Sequence, residues 1–228
     1  MKFHILSESW IEAVLGDQIS LETHEQVMAF ASVLREAALP GMQEVVPTYT
    51  TVSIFFDPQV VRKAFEEGNL VFFSPARAML HKLEVLAAAF SPSYLLENTR
   101  PAAPTNRIEV RYNGPDLSET ADRLQMSENE LIRRHSAVEY RVFMTGFLPG
   151  FPYLGILPEE LRIPRLDTPR QRVPAGSVAI AGKQTGIYPQ EAPGGWRLIG
   201  QTDFLLFDIH TNPPARLQAG TRVKFVPI

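Results

Sequence analysis

YRVFMTGFLPGFPYLGILPEELRIPRLDTPRQRVPAGSVAIAGKQTGIYPQEAPGGWRLIG, residues 140–200, alternates short β-type segments with glycines, prolines and aromatics. Gly and Pro hold backbone geometries that other residues resist. A chain that concentrates them is shaping loops, and shaped loops on a rigid scaffold are where binding and catalysis concentrate. The other reading is a β-barrel with many tight turns and no site. Outward from this run, EYRVFM (139–144), SVAIAG (177–182), FLLFDI (204–209) and TRVKFVPI (221–228) read as strands, and RIEVRY (107–112) alternates cleanly. Asn113–Asp116 reads as a turn. Asp116 with Glu119, and Ser127 with Glu130, have the spacing of capping boxes for two short helices that plug one end of the barrel.

Upstream the pattern changes. FHILSE (3–8), WIEAVLG (10–16), MQEVVP (42–47) and TVSIFF (51–56) read as strands. Thr23 with Gln26 predicts a helix start, and Val27, Phe30, Ala31, Leu34 and Ala38 recur at helical spacing up to Pro40-Gly41. Asp57-Pro58 opens a second helix, closed by Gly68-Asn69, and Ser74-Pro75 opens a third. Asn98–Asn106 has two prolines and no periodicity, so it reads as a linker between a mixed α+β domain over residues 1–97 and a barrel over residues 107–228.

Of the 228 residues, 45% are hydrophobic and 21% charged, with a net charge of -3. That is a globular composition with no basic face for nucleic acid and no anchor for an anionic membrane. There is no cysteine, which removes disulfides, thiolate metal sites and a Cys nucleophile. No stretch reaches the roughly 20 apolar residues of a membrane helix, and the N-terminus lacks a secretory core, so the expectation is a cytoplasmic, soluble chain. The five histidines have no zinc-helix spacing, and no metal site is expected. His135, at the end of a capped helix, reads either as a site residue or as a cation complementing that helix C-terminus.

GSVAIAGK (176–183) echoes a phosphate-binding loop, but its spacing is one residue off and Gln184 stands where a Ser or Thr should be. No ATP pocket is evident in this chain alone, and no G-x-S-x-G elbow offers a nucleophile. The candidate binding residues fall in three groups. Phe147, Phe151 and Tyr153 sit on a stiff loop, with Phe151 and Tyr153 expected to be exposed. Lys183, Gln184, Thr185 and Tyr188 bring polar groups together between glycines. Gly194, Gly195 and Trp196 suggest an anion-binding nest beside an aromatic. Each group has a plain alternative in turn bonding or barrel packing. Arg162, Arg165, Arg170 and Arg172 flank prolines, and Arg172 is singled out as the carboxylate or phosphate holder. No residue is assigned a catalytic role.

GFLPGFPYLG (146–155), TPRQRVPAGSVAIAGKQTGIYP (168–189) and PGGWRLIGQT (193–202) resemble the 5-oxoprolinase B-subunit family. GDQISLE (16–22), QEVVPTYTTVSIFFDP (43–58) and LQAGTRVKFVPI (217–228) resemble it too, so the likeness covers nearly the whole chain. The family includes the inhibitor of a sporulation histidine kinase and half of the carboxyltransferase region of urea carboxylase. Ile156 departs from it, standing where a second glycine is expected. The resemblance implies a ferredoxin-like N-terminal domain and a cyclophilin-like C-terminal β-barrel. It implies direct pairing with the C-subunit of 5-oxoprolinase, completion by its A-subunit, and ATP-dependent opening of the 5-oxoproline lactam to glutamate, with ATP and magnesium used by the complex. Its other branch implies a protein-binding inhibitor of a histidine kinase.

Overall fold

The computed structural model describes residues 1–67, 74–90 and 105–228. The chain divides into two compact units, Met1–Ala102 and Ala103–Ile228. The closing Gly68-Asn69 and all of the expected linker except Thr105 and Asn106 lie outside the described residues.

The first unit contains β1 (Lys2–Ser7), β2 (Trp10–Val14), α1 (Leu21–Ala37), β3 (Met42–Pro47), β4 (Thr51–Phe56), α2 (Pro58–Glu67) and α3 (Pro75–Ala89). The strands form an antiparallel sheet in the order β1-β2-β4-β3. Val27, Phe30, Ala31 and Leu34 of α1 and Met79 and Leu83 of α3 are buried with Ile11, Ala13, Val52, Ile54 and Phe56 of the sheet. Helix α1 starts earlier than Thr23: Ser20 has an extended backbone, and its Oγ accepts the Thr23 N–H at 3.0 Å. Asp57 caps α2 through the N–H groups of Gln59 and Val60. Ser74 caps α3 through Arg77 N–H, ahead of Pro75. The described elements run β-β-α-β-β-α-α, which is not by itself the β-α-β-β-α-β order of a ferredoxin-like unit.

The second unit contains β5 (Asn106–Val110), α4 (Leu117–Arg123), α5 (Glu128–Ala137), β6 (Glu139–Thr145), β7 (Pro152–Gly155), β8 (Arg170–Val173), β9 (Ser177–Ala181), β10 (Gln184–Ile187), β11 (Ala192–Gly194), β12 (Arg197–Gln201) and β13 (Arg222–Pro227). Seven strands pair in the order β12-β9-β10-β7-β6-β13-β5. The two edges of this sheet meet where Arg111 and Gln201 exchange backbone hydrogen bonds of 2.9 and 2.8 Å, so the sheet is nearly a closed barrel. Closure matters because a free strand edge leaves backbone groups unpaired. β8 and β11 form a separate ribbon.

Inward residues alternate with outward ones. Val178 and Ile180 of β9 fill the barrel, while Ala179 and Ala181 join a second apolar cluster on its outer wall. Leu117 and Ala121 of α4 and Leu131 of α5 are buried in the barrel core, as expected for a plug. The capping box at Asp116 does not form. Its carboxylate makes no cap bond and instead accepts Arg170 Nη2 at 2.5 Å and the Leu198 N–H at 2.7 Å, where a buried charge gains more than at an exposed helix end. Ser127 does cap α5, through Glu130 N–H. The Glu130 side chain does not reach back; hydrogen bonds from Arg133 and Arg134 hold its carboxyl down at about 2. FLLFDI is not a strand. Phe207 makes one bridge to Ala215, and the 204–216 loop closes on itself through Asp208 N–H to Pro214 C=O and Arg216 N–H to Leu206 C=O.

Candidate functional site

The loop over residues 146–151 is tied at its neck, with Gly146 N–H to Phe151 C=O at 3.2 Å and Phe151 N–H to Leu148 C=O at 3.0 Å. Phe147 takes a left-handed backbone (φ +68°), a conformation that costs a non-glycine residue about 1 kcal/mol or more. That backbone turns its ring outward. Phe147 is 61% exposed and stands edge-on to Phe151 at 5.7 Å and to Tyr188 at 6.5 Å. The expectation for the exposed pair is therefore corrected. Phe147 is the exposed ring, Phe151 is buried, and Tyr153 is half-buried.

Phe151, Tyr188 and Trp196 form a packed layer on the outer wall, with Phe151 edge-on to Tyr188 at 5.2 Å and to Trp196 at 5.6 Å. Tyr153 adjoins both Phe151 (4.9 Å) and Trp196 (5.8 Å). The layer sits close because β10 offers Gly186 beneath it. A Cβ there would lie 2.9 Å from Phe151 Cζ and 3.1 Å from the Trp196 ring. Phe151, Tyr188 and Trp196 thus pack as a wall and do not line an open cleft.

The Tyr188 hydroxyl lies directly against Gly194. At the expected Gly194-Gly195 nest the Tyr188 ring packs directly over Gly194, and the Gly195 carbonyl accepts Leu166 N–H at 2.7 Å. Burial pushes the Tyr188 phenol up, partly offset by the nearby Trp196 backbone N–H and by the positive charges of Arg165 and Arg170. Tyr153 is also raised by burial, against the field of Arg165.

Two arginines that share this corner were not the one singled out. Arg165 lies 6.0 Å from the centre of the Trp196 ring. Its main chain is pinned on both sides: Ile163 bridges Gly182, the Pro164 carbonyl accepts buried Arg197 Nε, and Leu166 bonds Gly195. Arg170 pairs in register with Gly194 and is held by Asp116, and its Nη1 is buried without a partner. Arg172 is 82% exposed, and its ion-pair partner among the described residues is Glu191 at 3.8 Å. Arg170 and Arg172 stand two apart on β8, so the period-2 rule gives them one face and does not separate them; the ion pair with Asp116, 54 residues away, is what sets Arg170 apart.

Lys183 is exposed at the β9–β10 turn beside Gly182 (φ +57°), and Gln184 is half-buried. GSVAIAGK forms strand β9 and this turn, with no loop to wrap phosphates. Thr185 is buried in the barrel interior. Its hydroxyl donates to Ala179 C=O at 3.0 Å, so its oxygen accepts His135 Nε2–H at 2.9 Å. His135 Nδ1 then accepts the Tyr112 hydroxyl at 2.7 Å. His135 is fully buried, stacked on Phe225, and burial pulls it down to about 3. It is a neutral member of the core, neither a helix-end cation nor a site residue. A separate groove of about 490 Å³ beside β5 is lined by Arg107, Glu109, Arg111, Asp203 and Phe204 among others. It contains none of the residues singled out above, and its Arg111 is already paired with Asp203.

The family described as "Carboxyltransferase domain, subdomain C and D" matches residues 1–217. The curated 5-oxoprolinase B-subunit of Bacillus subtilis (strain 168) is 39% identical over 226 residues, covering 98% of this chain and 91% of that protein. The crystal structure of TTHA0988 is 34% identical with a TM-score of 0.77; the match covers 96% of this chain but only 40% of that one. Urea amidolyase of Kluyveromyces lactis shares the fold at 15% identity and a TM-score of 0.68, with 99% of this chain matching 15% of that enzyme. No helix among the described residues is long and apolar enough to cross a membrane.

Proposed function

This chain belongs to the 5-oxoprolinase B-subunit family, and from that premise we propose that it is a non-autonomous component of an ATP-dependent 5-oxoprolinase. The observation that carries the reading is the near end-to-end similarity to a protein of that name at 39% identity. A second supports the need for company: the matching region makes up only 40% of TTHA0988 and 15% of urea amidolyase, so this fold occurs there as one part of a larger polypeptide. Partners are the C-subunit of the enzyme, in direct contact, and its A-subunit, in the cytoplasm.

In this reading the complex opens the 5-oxo-L-proline lactam to L-glutamate. A five-membered lactam is an unactivated amide, so ATP and magnesium are consumed to activate its carbonyl oxygen. We assign ATP to another polypeptide of the complex, since the one phosphate-loop echo in this chain is strand and turn. This chain contributes positioning, which is the larger part of catalysis in phosphoryl transfer. Exposed Phe147, held out at an energetic cost, is the anchor we assign to the C-subunit. The ferredoxin-like and cyclophilin-like descriptions of the two units belong to the same reading.

Co-expression with the C- and A-subunits, followed by assay of glutamate release from 5-oxo-L-proline with ATP, tests it. The chain alone is expected to be inactive and the three together active. Full activity in a complex lacking this chain refutes the reading. Capture of a histidine kinase in place of the C-subunit favours the inhibitor branch.

A further inference from the structure

We propose that the open edge of β5 pairs with β5 of a second copy of this chain, across a two-fold axis at Ile108. The inference does not depend on the 5-oxoprolinase reading. Alternate residues of a strand turn their backbone groups to opposite edges. Val110 faces β13, because its carbonyl accepts Ile228 N–H at 3.1 Å. Arg111 faces the other way and exchanges both of its backbone bonds with Gln201. Arg107 and Glu109 share the Arg111 edge by that alternation, and their N–H and C=O groups have no backbone partner among the described residues. The chain beyond Gln201 peels away before it reaches them: Thr202 N–H bonds Gly176 C=O at 2.9 Å, and the Asp203 carboxylate takes Arg111 Nη2. The groove of about 490 Å³ is lined by β5 on one side and by Thr202, Asp203 and Phe204 on the other. The barrel seam is therefore closed at the Arg111 rung and open at the next two, which leaves a short free strand edge.

Charge selects the occupant. The side chains at the two open rungs are a cation and an anion. Arg107 and Glu109 are both exposed, and neither has an ion-pair or hydrogen-bond partner among the described residues. Two β5 strands running antiparallel about a two-fold axis can bring these rungs together in three registers. Arg107 opposite Arg107 sets like charges together. Glu109 opposite Glu109 does the same, and it also needs the Arg111 edge that Gln201 already fills. Arg107 opposite Glu109 sets one opposite-charge pair on each side of Ile108, and each of these pairs exchanges two backbone bonds. The segment Arg107-Ile108-Glu109 is thus its own complement in one register. Ile108 stands on the axis with its side chain committed to the barrel core, 1% exposed, so nothing crowds the junction there. Half-buried Phe204 and Val226 and exposed Ile228 give the same groove an apolar margin.

The test is sedimentation equilibrium of the full chain, with residue-resolved amide exchange as a second readout. The paired stretch is short, so the dimer belongs to the weak class and should be half-populated at roughly 0.1–1 mM. The Arg107 and Glu109 amides should exchange more slowly as concentration rises. R107E and E109K each set two like-charge pairs across the axis, and each should weaken dimerisation at least about 5-fold. The double variant R107E/E109K restores opposite charges in reverse order and should dimerise like wild type. An equimolar mixture of R107E and E109K should dimerise more tightly than either alone, because each cross-strand pair of the mixed dimer is then a Glu opposite a cation. If a variant does not fold, the wild-type amides still decide. A wild-type chain that stays monomeric at about 1 mM overturns the inference. So does a dimer that both single variants leave unchanged, or one in which the Arg107 and Glu109 amides gain no protection, since either result puts the junction on another face. None of these outcomes bears on lactam hydrolysis, so the 5-oxoprolinase reading stands or falls separately.

Discussion

Acid should destabilise the barrel unit through one residue, His135. In the folded protein the imidazole is neutral, because burial pulls it to about 3 from an ordinary 6.5. Its two nitrogens are committed, Nε2–H to Thr185 and Nδ1 to Tyr112, so no position remains for a second proton without breaking a bond. In the unfolded chain the same histidine titrates normally. Between these two values the unfolded state holds a proton that the folded state does not, so stability falls as pH falls. It is fully present above about 6.5 and is lost progressively towards 3. At about 1.4 kcal/mol per pH unit below about 6.5, lowering the pH from 7 to 4.5 should remove roughly 2–3 kcal/mol through this residue alone. The assay is urea unfolding at both pH values, followed by Trp196 emission in a W10F background, since Trp10 lies in the other unit and these are the two tryptophans. H135Q keeps one acceptor and one donor but does not titrate. It should be less stable than wild type at pH 7, yet should lose about 2–3 kcal/mol less on acidification. Carboxylates contribute equally to both curves and cancel. Equal acid losses in the two proteins refute the assignment. If H135Q does not fold, the wild-type imidazole can be followed by nitrogen NMR: a ring that protonates near 6 refutes it equally.

Three further outcomes follow from the packing. G194A places a methyl group on the Tyr188 hydroxyl and should cost about 1–3 kcal/mol, read as a lower urea midpoint. D116A strands Arg170 and the Leu198 N–H together, and should cost about 2–4 kcal/mol by the same measurement. F147A removes an exposed ring and should change stability by less than about 1 kcal/mol, while weakening capture of the C-subunit by at least about 30-fold in a titrated pull-down; unchanged capture would remove Phe147 from the interface.

The difference between what the sequence reveals and what it hides follows the range of the interactions involved. Strands such as TVSIFF and SVAIAG, and the caps at Ser74 and Ser127, are legible because a period of two and a hydroxyl three residues from an amide are local. Asp116 has the same local pattern but does not form a side-chain cap. Its carboxylate is claimed by Arg170 and Leu198, 54 and 82 residues away, and no local rule weighs such a competitor. Thr185 shows how far a local rule could have gone. Two residues before core-filling Ile187 on one strand, it must share its inward face, so its place in the barrel was readable once Ile187 was taken as core. Phe147 and Phe151 could not be ranked this way, because the choice depends on a left-handed backbone at a residue that is not glycine. Arg165 is the extreme case. Nothing in LRIPRLD sets it apart from Arg162 or Arg172; what distinguishes it is that Gly182, Gly195 and Arg197, up to 32 positions downstream, fix the backbone on either side of it.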